Sequence, residues 1–379
     1  MTHIPPVSSA ESVKIDLVFC HLLNDASGSP RVLRGTIRAL VDDPARAMLF
    51  VGSQGRGVLE TCGIPLSRYW YHRSRLRIIT LCNLLLSQIF LLFSLLCQRN
   101  IAKDAVIYVN TLLPFGGALY GKLTGRKVIY HVHEISIEPK PLRLLLCTIA
   151  RMCSAYNIYV SKSHAEALPI ADVPAVQIYN TLDADFTAVA AQASYQPRHD
   201  GIFTILMLAS LRDYKGVPEM VALAAALADR KDVQFELVVN DDQAAITQYF
   251  AHMPITPNLR VYPRTDNPAM FYQRAGMLLN LSRVDSWIET FGLTVLEGMA
   301  FGLPVLVPPL GGPAELVNDM QEGFLVDSRD FALLKQRTLA LADDTALCHA
   351  MSKAARARAE NFSQEKFSQA LRGLVGMLR

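Results

Sequence analysis

Short apolar runs alternate along the first half of the chain with longer segments in which apolar residues recur at helical spacing. We predict strands at 14–20, 47–52, 105–110, 127–131 and 157–160. Helices are predicted near 31–41 and from 161–167 onward, where Ser161 or Ser163 can serve as the N-cap. Apolar runs separated by helical patterns are typical of buried parallel strands joined by right-handed crossovers. The pattern therefore predicts an α/β domain with a doubly wound sheet.

The same alternation restarts after residue 201. Here we predict strands at 203–208, 234–239, 259–262, 277–281, 304–307 and 323–326, and helices at 217–229, 269–274, 294–301, 313–318 and 331–342. The segment before it is rich in Gln, Ser, Pro and Gly, which are typical of a linker. A chain of 379 residues also exceeds what one core usually holds, roughly 250–300 residues. We therefore predict domains at 1–186 and 202–363, a linker at 187–201, and a C-terminal helix at about 364–379 that can pack back on the first domain.

Composition narrows the class of protein. Hydrophobic residues make up 51% of the chain and charged residues 19%, which excludes an intrinsically disordered protein. The formal net charge of +3 gives no support to a nucleic-acid partner. The seven cysteines lack C-x-x-C spacing, so we expect buried free thiols in a reducing compartment. Residues 1–10 lack the pattern of a signal peptide, and we therefore expect a cytoplasmic protein.

The segment 78–97 carries no charged residue and is long enough to be considered as a membrane span. Two observations argue against a span. Its polar residues fall on one helical face, and the strands predicted on either side of it belong to one sheet. These polar residues are Thr80, Asn83, Ser87 and Ser94. We predict a helix that is buried or lies partly at a membrane surface.

Basic and aromatic residues precede this helix, and no acidic residue occurs between Arg68 and Lys103. The residues concerned are Arg68, Arg73, Arg75 and Arg77, with Tyr69, Trp70 and Tyr71 among them. Basic and aromatic side chains beside an apolar helix are what a membrane-surface contact needs. We therefore predict peripheral membrane contact through about 68–103; the alternative is a core helix with a solvated basic end.

The segment 289–317 is the most informative for chemistry. Glu289 and Glu297 stand eight residues apart, and a loop ends at Gly292 where a helix begins near Leu293. A helix N-terminus offers free N–H groups and a positive dipole end, which suits a diphosphate. Glu297 lies about one turn into the helix, where a carboxylate can accept both hydroxyls of a ribose. Glu289 precedes the helix and lies closer to where a sugar would project.

This segment resembles the signature of family 4 retaining glycosyltransferases. The likeness includes both glutamates, Phe291-Gly292, Gly302-x-Pro304 and Gly311-Gly312-x-x-Glu315. The resemblance implies a GT-B fold, in which two Rossmann-like domains face each other across a cleft. It also implies a nucleotide-sugar donor as substrate, with neither a metal nor another cofactor. The donor contacts expected here are Phe291, Gly292, Leu293, Thr294 and Glu297.

Two further segments resemble the same family. In 208–216, Lys215 is expected to meet the donor diphosphate. The family usually has an arginine where Ser210 stands; Arg212 is expected to supply that charge, and the alternative is a solvated loop arginine. In 130–134, His133 matches the strand-end histidine of the family and is expected to hydrogen-bond the donor sugar or phosphate. His131 is expected to point to the other side of the strand and to be structural.

The loop 24–30 follows the first strand and matches the glycine-containing loop of the family, so Gly28 and Ser29 are expected to contact the donor. The segment 179–183 resembles the Asn-Gly-x-Asp of the family, with Thr181 in place of the glycine. Asp183-Ala184-Asp185 also reads as the metal-binding Asp-x-Asp of another glycosyltransferase fold. Because Asp183 is accounted for by the family pattern, we expect no metal there.

The resemblance implies an enzyme that transfers a sugar from a UDP- or GDP-sugar with retention, by a front-face reaction. We assign His133, Glu289, Lys215 and Arg212 to the catalytic site, with Glu289 positioning the donor sugar rather than attacking it. The basic, aromatic and apolar region of the first domain suggests a lipid-linked glycan acceptor at the inner face of the plasma membrane. That acceptor fits the assembly of a bacterial capsule, O-antigen or exopolysaccharide. The alternatives are a non-catalytic nucleotide-sugar-binding protein and a nucleotide-sugar epimerase with the same fold.

Overall fold

The computed structural model describes residues 13–25 and 27–379, which form two parallel sheets with helices on both faces. The strands of the first sheet are β1 (Ile15–His21), β2 (Ala47–Gly52), β3 (Leu66–Tyr69), β4 (Ile101–Asn110), β5 (Lys127–Val132), β6 (Tyr156–Tyr159) and β7 (Ala175–Gln177). They are ordered β3-β2-β1-β4-β5-β6-β7. The helices among them are α1 (Gly28–Leu40), α2 (Arg77–Leu96), α3 (Phe115–Thr124), α4 (Lys140–Cys153) and α5 (Lys162–Ala167).

The second sheet has the order β10-β9-β8-β11-β12-β13. Its strands are β8 (Phe203–Ala209), β9 (Val233–Val239), β10 (Leu259–Tyr262), β11 (Met277–Leu279), β12 (Val305–Val307) and β13 (Gly323–Leu325). The remaining helices are α6 (Ala184–Gln192), α7 (Val217–Ala226), α8 (Gln243–Tyr249), α9 (Ala269–Arg274), α10 (Leu293–Ala300), α11 (Gly312–Leu316), α12 (Phe331–Asp343), α13 (Thr345–Ala359) and α14 (Gln364–Leu378). The predicted doubly wound α/β fold is confirmed in both halves.

Both sheets change winding direction at their first strand, between β1 and β4 and between β8 and β11. In open parallel sheets, ligands bind beyond the carboxyl ends of the strands at such a switch point. The loop before Gly28 follows β1, and the loop with Lys215 follows β8. The long loop with Glu289 follows β11. The fold therefore places these predicted residues at the switch points of the two sheets.

The C-terminal helix α14 packs against α1 of the first domain. Its apolar residues Phe367, Leu371 and Leu374 are buried in the same core cluster as Leu33 and Ile37 of α1. The segment predicted as a linker, 187–201, begins inside α6. Asp183 is the N-cap of that helix, and its carboxylate accepts the Asp185 N–H.

Helix α2 joins β3 to β4 within one sheet and packs on α3, so it runs along the sheet as a crossover. By length and composition it is the one helix of the described residues that could cross a membrane, with 28% of its apolar window buried. Its polar face turns inward: Asn83 donates to the carbonyl of His72, and Gln88 accepts the N–H of Gly116. The strands β2 and β4 on either side of this segment lie in one sheet, as predicted.

Two expectations about this region are wrong: that Tyr69, Trp70 and Tyr71 are all available to a membrane surface, and that all of the cysteines are buried. Tyr69 and Tyr71 are buried, and the Tyr69 hydroxyl donates to the backbone oxygen of His21. Of the aromatic trio before α2, Trp70 alone is exposed, and it packs against Phe90. Tyr69 ends β3, a strand too short and polar for its sequence to predict, and the pleat directs its ring into the core. The seven cysteines are free, as predicted, but Cys82 and Cys97 lie exposed on and beside α2.

Candidate active site

The centre of the site in the second domain is an ion pair between Lys215 and Glu289. Oε1 of Glu289 lies 2.5 Å from Nζ of Lys215 and accepts a hydrogen bond from Oγ of Ser282 at 2.9 Å. The two charged side chains are 17% and 20% exposed. An incoming anion can therefore reach Lys215 and compete with Glu289 for it, which leaves the carboxylate free for a polar substrate group.

The backbone that carries Glu289 is fixed by the paired glycines at the start of α11. The Gly312 N–H donates to the Glu289 carbonyl at 2.8 Å. A Cβ atom on Gly312 would lie 2.3 Å from Cα of Phe291, so only glycine permits this approach. Gly292 has φ of +99°, in the left-handed region, and forms the N-cap of α10. The Gly-Gly motif therefore sets the position of the Glu289 loop and of the helix that follows.

The N-termini of α1 and α10 meet from opposite domains. A Cβ atom placed on Gly28, the first residue of α1, would lie 3.3 Å from Cδ1 of Leu293, the first residue of α10. Both helices direct unpaired N–H groups and the positive ends of their dipoles at this junction. Thr294 lies half-buried in the first turn of α10. The junction is an electropositive position suited to a diphosphate.

Glu297, the expected acceptor of the ribose hydroxyls, is already paired in this structure. Its carboxylate is buried and holds two partners: Oε2 accepts from the Tyr272 hydroxyl at 2.6 Å, and Oε1 lies 2.8 Å from Nη1 of Arg31. Arg31 belongs to α1 of the opposite domain, and the charge of Glu297 raises the pKa of its guanidinium. Sequence analysis missed both partners, because they are distant in sequence and lie in no recognisable motif.

His133 lies at the carboxyl end of β5, and its Nε2 is 3.0 Å from Oδ1 of Asn110. The Asn110 amide donates to the carbonyl of Ser29, so its oxygen is the acceptor and His133 Nε2 carries the proton. Burial and the neighbouring histidines hold the pKa of His133 well below its ordinary value. The neutral ring then carries its lone pair at Nδ1, which suits a sugar hydroxyl better than a phosphate oxygen.

The expected orientation of His131 is wrong. Its ring lies on the same side of the strand as that of His133, with centroids 4.3 Å apart, because residues two apart in a strand face the same way. Its Nδ1 is 2.7 Å from the hydroxyl of Tyr108, and burial lowers its pKa to about 3. His131 is therefore a neutral core histidine, in agreement with the structural role expected for it.

Other predicted residues are placed away from the Lys215–Glu289 pair. Arg212 is exposed, and its guanidinium donates to the backbone oxygen of Leu211 at 2.9 Å. The Phe291 ring is buried in the core between the domains, 6.1 Å from the ring of Tyr179, so the ring is not available to a donor. Asp183 pairs with Arg34 and Arg38 of α1. No group of His, Cys, Asp or Glu that could hold a metal ion occurs within 13–25 and 27–379.

An aromatic pair beside Lys215 was not predicted. The rings of Tyr214 and Trp287 stack with centroids 5.0 Å apart, and Nζ of Lys215 lies 4.8 Å from the Trp287 centroid. The Arg283 N–H donates to the Tyr214 carbonyl, and the Trp287 N–H donates to the Arg283 carbonyl. These contacts tie the loop after β8 to the loop after β11. In the sequence, only Trp287, two residues before Glu289, could have suggested this aromatic pair.

Comparison with known proteins finds sequence similarity in the second domain and a similar fold over the whole chain. The family model described as Glycosyl transferases group 1 matches residues 194–358. A D-inositol 3-phosphate glycosyltransferase of Salinispora arenicola is 32% identical over 139 residues, which cover 36% of this chain and 30% of that protein. The N-acetyl-alpha-D-glucosaminyl L-malate synthase of Bacillus anthracis is 26% identical over 43% of this chain and 42% of its own length. The matched segments thus span less than half of these relatives.

Solved structures match over nearly the whole chain. Anabaena HepE in complex with UDP and glucose superposes with a TM-score of 0.76 at 18% identity, covering 96% of this chain and 99% of that one. The sucrose-phosphate synthase of Thermosynechococcus elongatus gives a TM-score of 0.72 at 15% identity, covering 96% and 99%. The two facing Rossmann-like domains and the matched second domain agree with the family expected from the Glu289–Glu297 segment. Residues 194–358 are therefore similar to the glycosyl transferases group 1 family, and the chain has the GT-B fold.

Proposed function

We propose that this chain is a retaining glycosyltransferase that takes a sugar from a UDP- or GDP-sugar without a metal ion. The observation that carries the proposal is the meeting of the α1 and α10 N-termini beside the Lys215–Glu289 pair. A diphosphate at this junction receives N–H groups from two helices and the charge of Lys215, so no metal is required to neutralise it. Anabaena HepE, which has the same fold, is in complex with UDP and glucose, and this supports a nucleoside diphosphate as part of the donor.

The chemistry follows from the positions of these groups. The bond between the sugar C1 and the phosphate oxygen breaks, and its electron pair passes to the diphosphate, which Lys215 and the helix N-termini stabilise. Glu289, released by Lys215, accepts hydrogen bonds from sugar hydroxyls and fixes the orientation of the sugar ring. Nδ1 of His133 accepts a further hydrogen bond from a sugar hydroxyl. The acceptor oxygen bonds to C1 from the face that the phosphate leaves, and its proton passes to the departing phosphate oxygen, which retains the configuration at C1.

The acceptor side carries an apolar surface that supports membrane contact. We call this surface the α2–α4 face; its exposed side chains are Ile78, Ile79, Leu85, Leu86, Ile89, Phe90, Phe93 and Leu96 of α2, and Leu144, Leu145 and Met152 of α4. Ile78, Phe93 and Leu144 are 78%, 60% and 70% exposed. Both helices cover the same side of the first sheet, with α3 between them. A group of large exposed apolar side chains of this kind is typical of a membrane or protein contact.

The charges around this face favour a membrane. Arg73, Arg75 and Arg77 lie exposed at the N-terminal end of α2, and Arg143 lies exposed on α4. Cations beside an apolar helix face draw a protein to an anionic lipid surface. We propose that the enzyme works at the cytoplasmic face of the plasma membrane on a lipid-linked glycan, in the synthesis of a bacterial capsule, O-antigen or exopolysaccharide.

A transfer assay tests this proposal. The purified chain is incubated with a panel of UDP- and GDP-sugars, with and without lipid-linked oligosaccharides in vesicles, and the released nucleoside diphosphate and the glycan product are measured. Release that depends on the acceptor, with an α-linked product from an α-linked donor, is the expected result. An altered donor without an acceptor would indicate the alternative epimerase, and donor binding with no turnover would indicate the non-catalytic protein. Activity lost with EDTA and restored by a metal would contradict the metal-independent mechanism.

A further inference from the structure

The second domain brings one cation, Lys215, to the donor site, whereas a departing diphosphate carries several negative charges. Lys215 lies at the site, and Ser210 stands where the family resemblance leads one to expect an arginine. Arg212, the residue nearby that could replace it, is exposed and turned to its neighbour's carbonyl. A second cation must therefore come from elsewhere in the chain, or the diphosphate depends on Lys215 and backbone N–H groups.

Arg31 of the first domain reaches into this site. It lies about one turn into α1, and Glu297 lies about one turn into α10, so the pair extends the contact that Gly28 makes with Leu293. Nη1 of Arg31 is 2.8 Å from Oε1 of Glu297, whereas the Arg31 side chain is 33% exposed. The guanidinium is thus bound to the carboxylate through Nη1, while part of the Arg31 side chain is open to solvent beside the two helix N-termini.

We propose that Arg31 is a diphosphate-binding residue that the first domain contributes to the donor site, and that Glu297 holds it there until a nucleotide binds. This inference rests on the proposed function and names a further donor contact. The ribose hydroxyls of a nucleotide and the guanidinium of Arg31 are both donors to the same carboxylate, so they compete for it. Once the ribose occupies Glu297, the freed guanidinium lies at the meeting point of the two helix N-termini, where the phosphates collect.

Arginine suits this exchange of partners. Its planar fork of N–H donors matches carboxylate and phosphate oxygens equally well, and its charge persists at all physiological pH values. In the empty enzyme the Arg31–Glu297 pair links the two domains; in the occupied enzyme Arg31 and the phosphates form that link. Donor binding therefore changes what holds the domains together without leaving a buried carboxylate unpaired.

Isothermal titration of the full chain with UDP, GDP, uridine and guanosine tests this assignment. Wild type is compared with Arg31→Ala, Arg31→Gln and Arg46→Ala, the last removing an arginine of the same domain that pairs with Asp16. The diphosphate that binds wild type is expected to bind both Arg31 variants about tenfold or more weakly, as loss of a charge-assisted hydrogen bond implies. The matching nucleoside is expected to bind them at least as tightly as wild type, because Glu297 is free to accept its ribose.

Two results would overturn the assignment. Unchanged diphosphate binding in the Arg31 variants would show that the guanidinium does not touch the phosphates. Equal weakening for nucleoside and diphosphate would show that Arg31 only maintains the shape of the site. Arg31→Gln keeps a hydrogen-bond donor for Glu297, so it preserves the comparison if Arg31→Ala unfolds. A wild-type chain that binds none of the four compounds would instead contradict the proposed function.

Discussion

Lys215 and Glu289 lie on loops that follow different strands of the second sheet, and their charged groups are 2.5 Å apart at its switch point. In the proposed mechanism, each is the partner that the other gives up when a nucleotide sugar binds: the diphosphate takes the ammonium, and the sugar hydroxyls take the carboxylate. We therefore expect the pair to keep both groups oriented until donor binding separates them.

Glu289→Gln tests the role of the carboxylate. The amide keeps the size of the side chain and an acceptor for Ser282, but it loses the charge that orders the sugar hydroxyls. We expect the turnover number to fall by about 100-fold, the cost typical of a misplaced substrate, with little change in the midpoint of thermal unfolding. Glu360→Gln, exposed after α13, is the control. Wild-type turnover in Glu289→Gln would remove Glu289 from the mechanism.

Trp287 is expected to hold Lys215 for the diphosphate. Its ring lies beneath the ammonium and stacks on Tyr214, so removing the ring frees the lysine and loosens two loops. Trp287→Ala should raise the KM for the donor by roughly three- to tenfold, in line with about 0.5–1 kcal/mol for an exposed cation–π contact and the loss of order in the loop. Trp287→Phe should restore most of the affinity. Steady-state kinetics that are the same for all three proteins would exclude this role.

The α2–α4 face is expected to bind membranes. Replacing Ile78, Ile89 and Phe93 by serine leaves the buried side of α2 intact but removes apolar area that would enter the lipid. Binding to vesicles that contain anionic lipid should weaken by about tenfold or more, as expected when several apolar side chains no longer leave water. The control replaces Leu310 and Met377, which are exposed elsewhere.

The same triple variant separates the membrane role from the donor site. Its affinity for the nucleoside diphosphate should equal that of wild type, while transfer to a lipid-linked acceptor in vesicles falls. Cosedimentation of the triple variant at the wild-type level would contradict the membrane contact. A parallel loss of nucleotide affinity would mean that the substitutions disturb the first domain as a whole.

Buried histidines make stability depend on pH. Burial lowers the pKa of His131 to about 3 and of His164 to about 4, and it holds the pKa of His133 well below its ordinary value. A histidine whose pKa is lowered by folding stabilises the fold above its unfolded pKa of about 6.5, and this contribution is lost as the pH falls toward the folded pKa. Each contributes up to about 1.4 kcal/mol of unfolding free energy per pH unit in that window.

Glu134 acts in the opposite direction, because burial raises the pKa of its carboxyl and folding then favours the protonated form as the pH falls. We expect the three histidines to outweigh it, so urea denaturation should give a lower unfolding free energy at pH 5.5 than at pH 7. His131→Phe should flatten that slope even if it lowers stability at both pH values. A free energy independent of pH over this range would contradict the prediction.

Strands built of β-branched and other apolar residues could be predicted from the sequence almost to the residue, as β2 and β8 show. Both lie inside their sheets, where helices cover the two faces, and an uninterrupted apolar run is typical of such a strand. β3 was missed because Leu66–Tyr69 is short and half polar, and α3 because its Phe115–Thr124 segment is rich in glycine. Packing against a neighbouring strand or helix, which local sequence does not report, decides such segments.

The same contrast between local sequence and packing applies to the residues of the site. The relative placement of Glu289 and Glu297 follows from motif spacing, because one loop and one helix terminus set it. Lys215 lies in a separate motif after β8, and only the order of the strands in the sheet brings it to Glu289. The pairing of Arg31 with Glu297 depends on how two domains meet, and no local spacing encodes it. Helix α1 also begins at Gly28, three residues before its predicted start. Arg31 therefore lies one turn into the helix instead of at its first residue.

Nucleotide binding at Glu297 is the central claim, and thermal unfolding with UDP, GDP, ADP, CMP and dTDP tests it most directly. Wild type is compared with Glu297→Gln and with Glu236→Gln, a matched buried glutamate that also pairs with an arginine and a tyrosine, Arg274 and Tyr262. We predict that one nucleoside diphosphate at 100 times its Kd stabilises wild type and Glu236→Gln by about 2.7 kcal/mol. The same nucleotide should stabilise Glu297→Gln far less. Equal stabilisation of all three proteins, or of none by any nucleotide, would contradict the account.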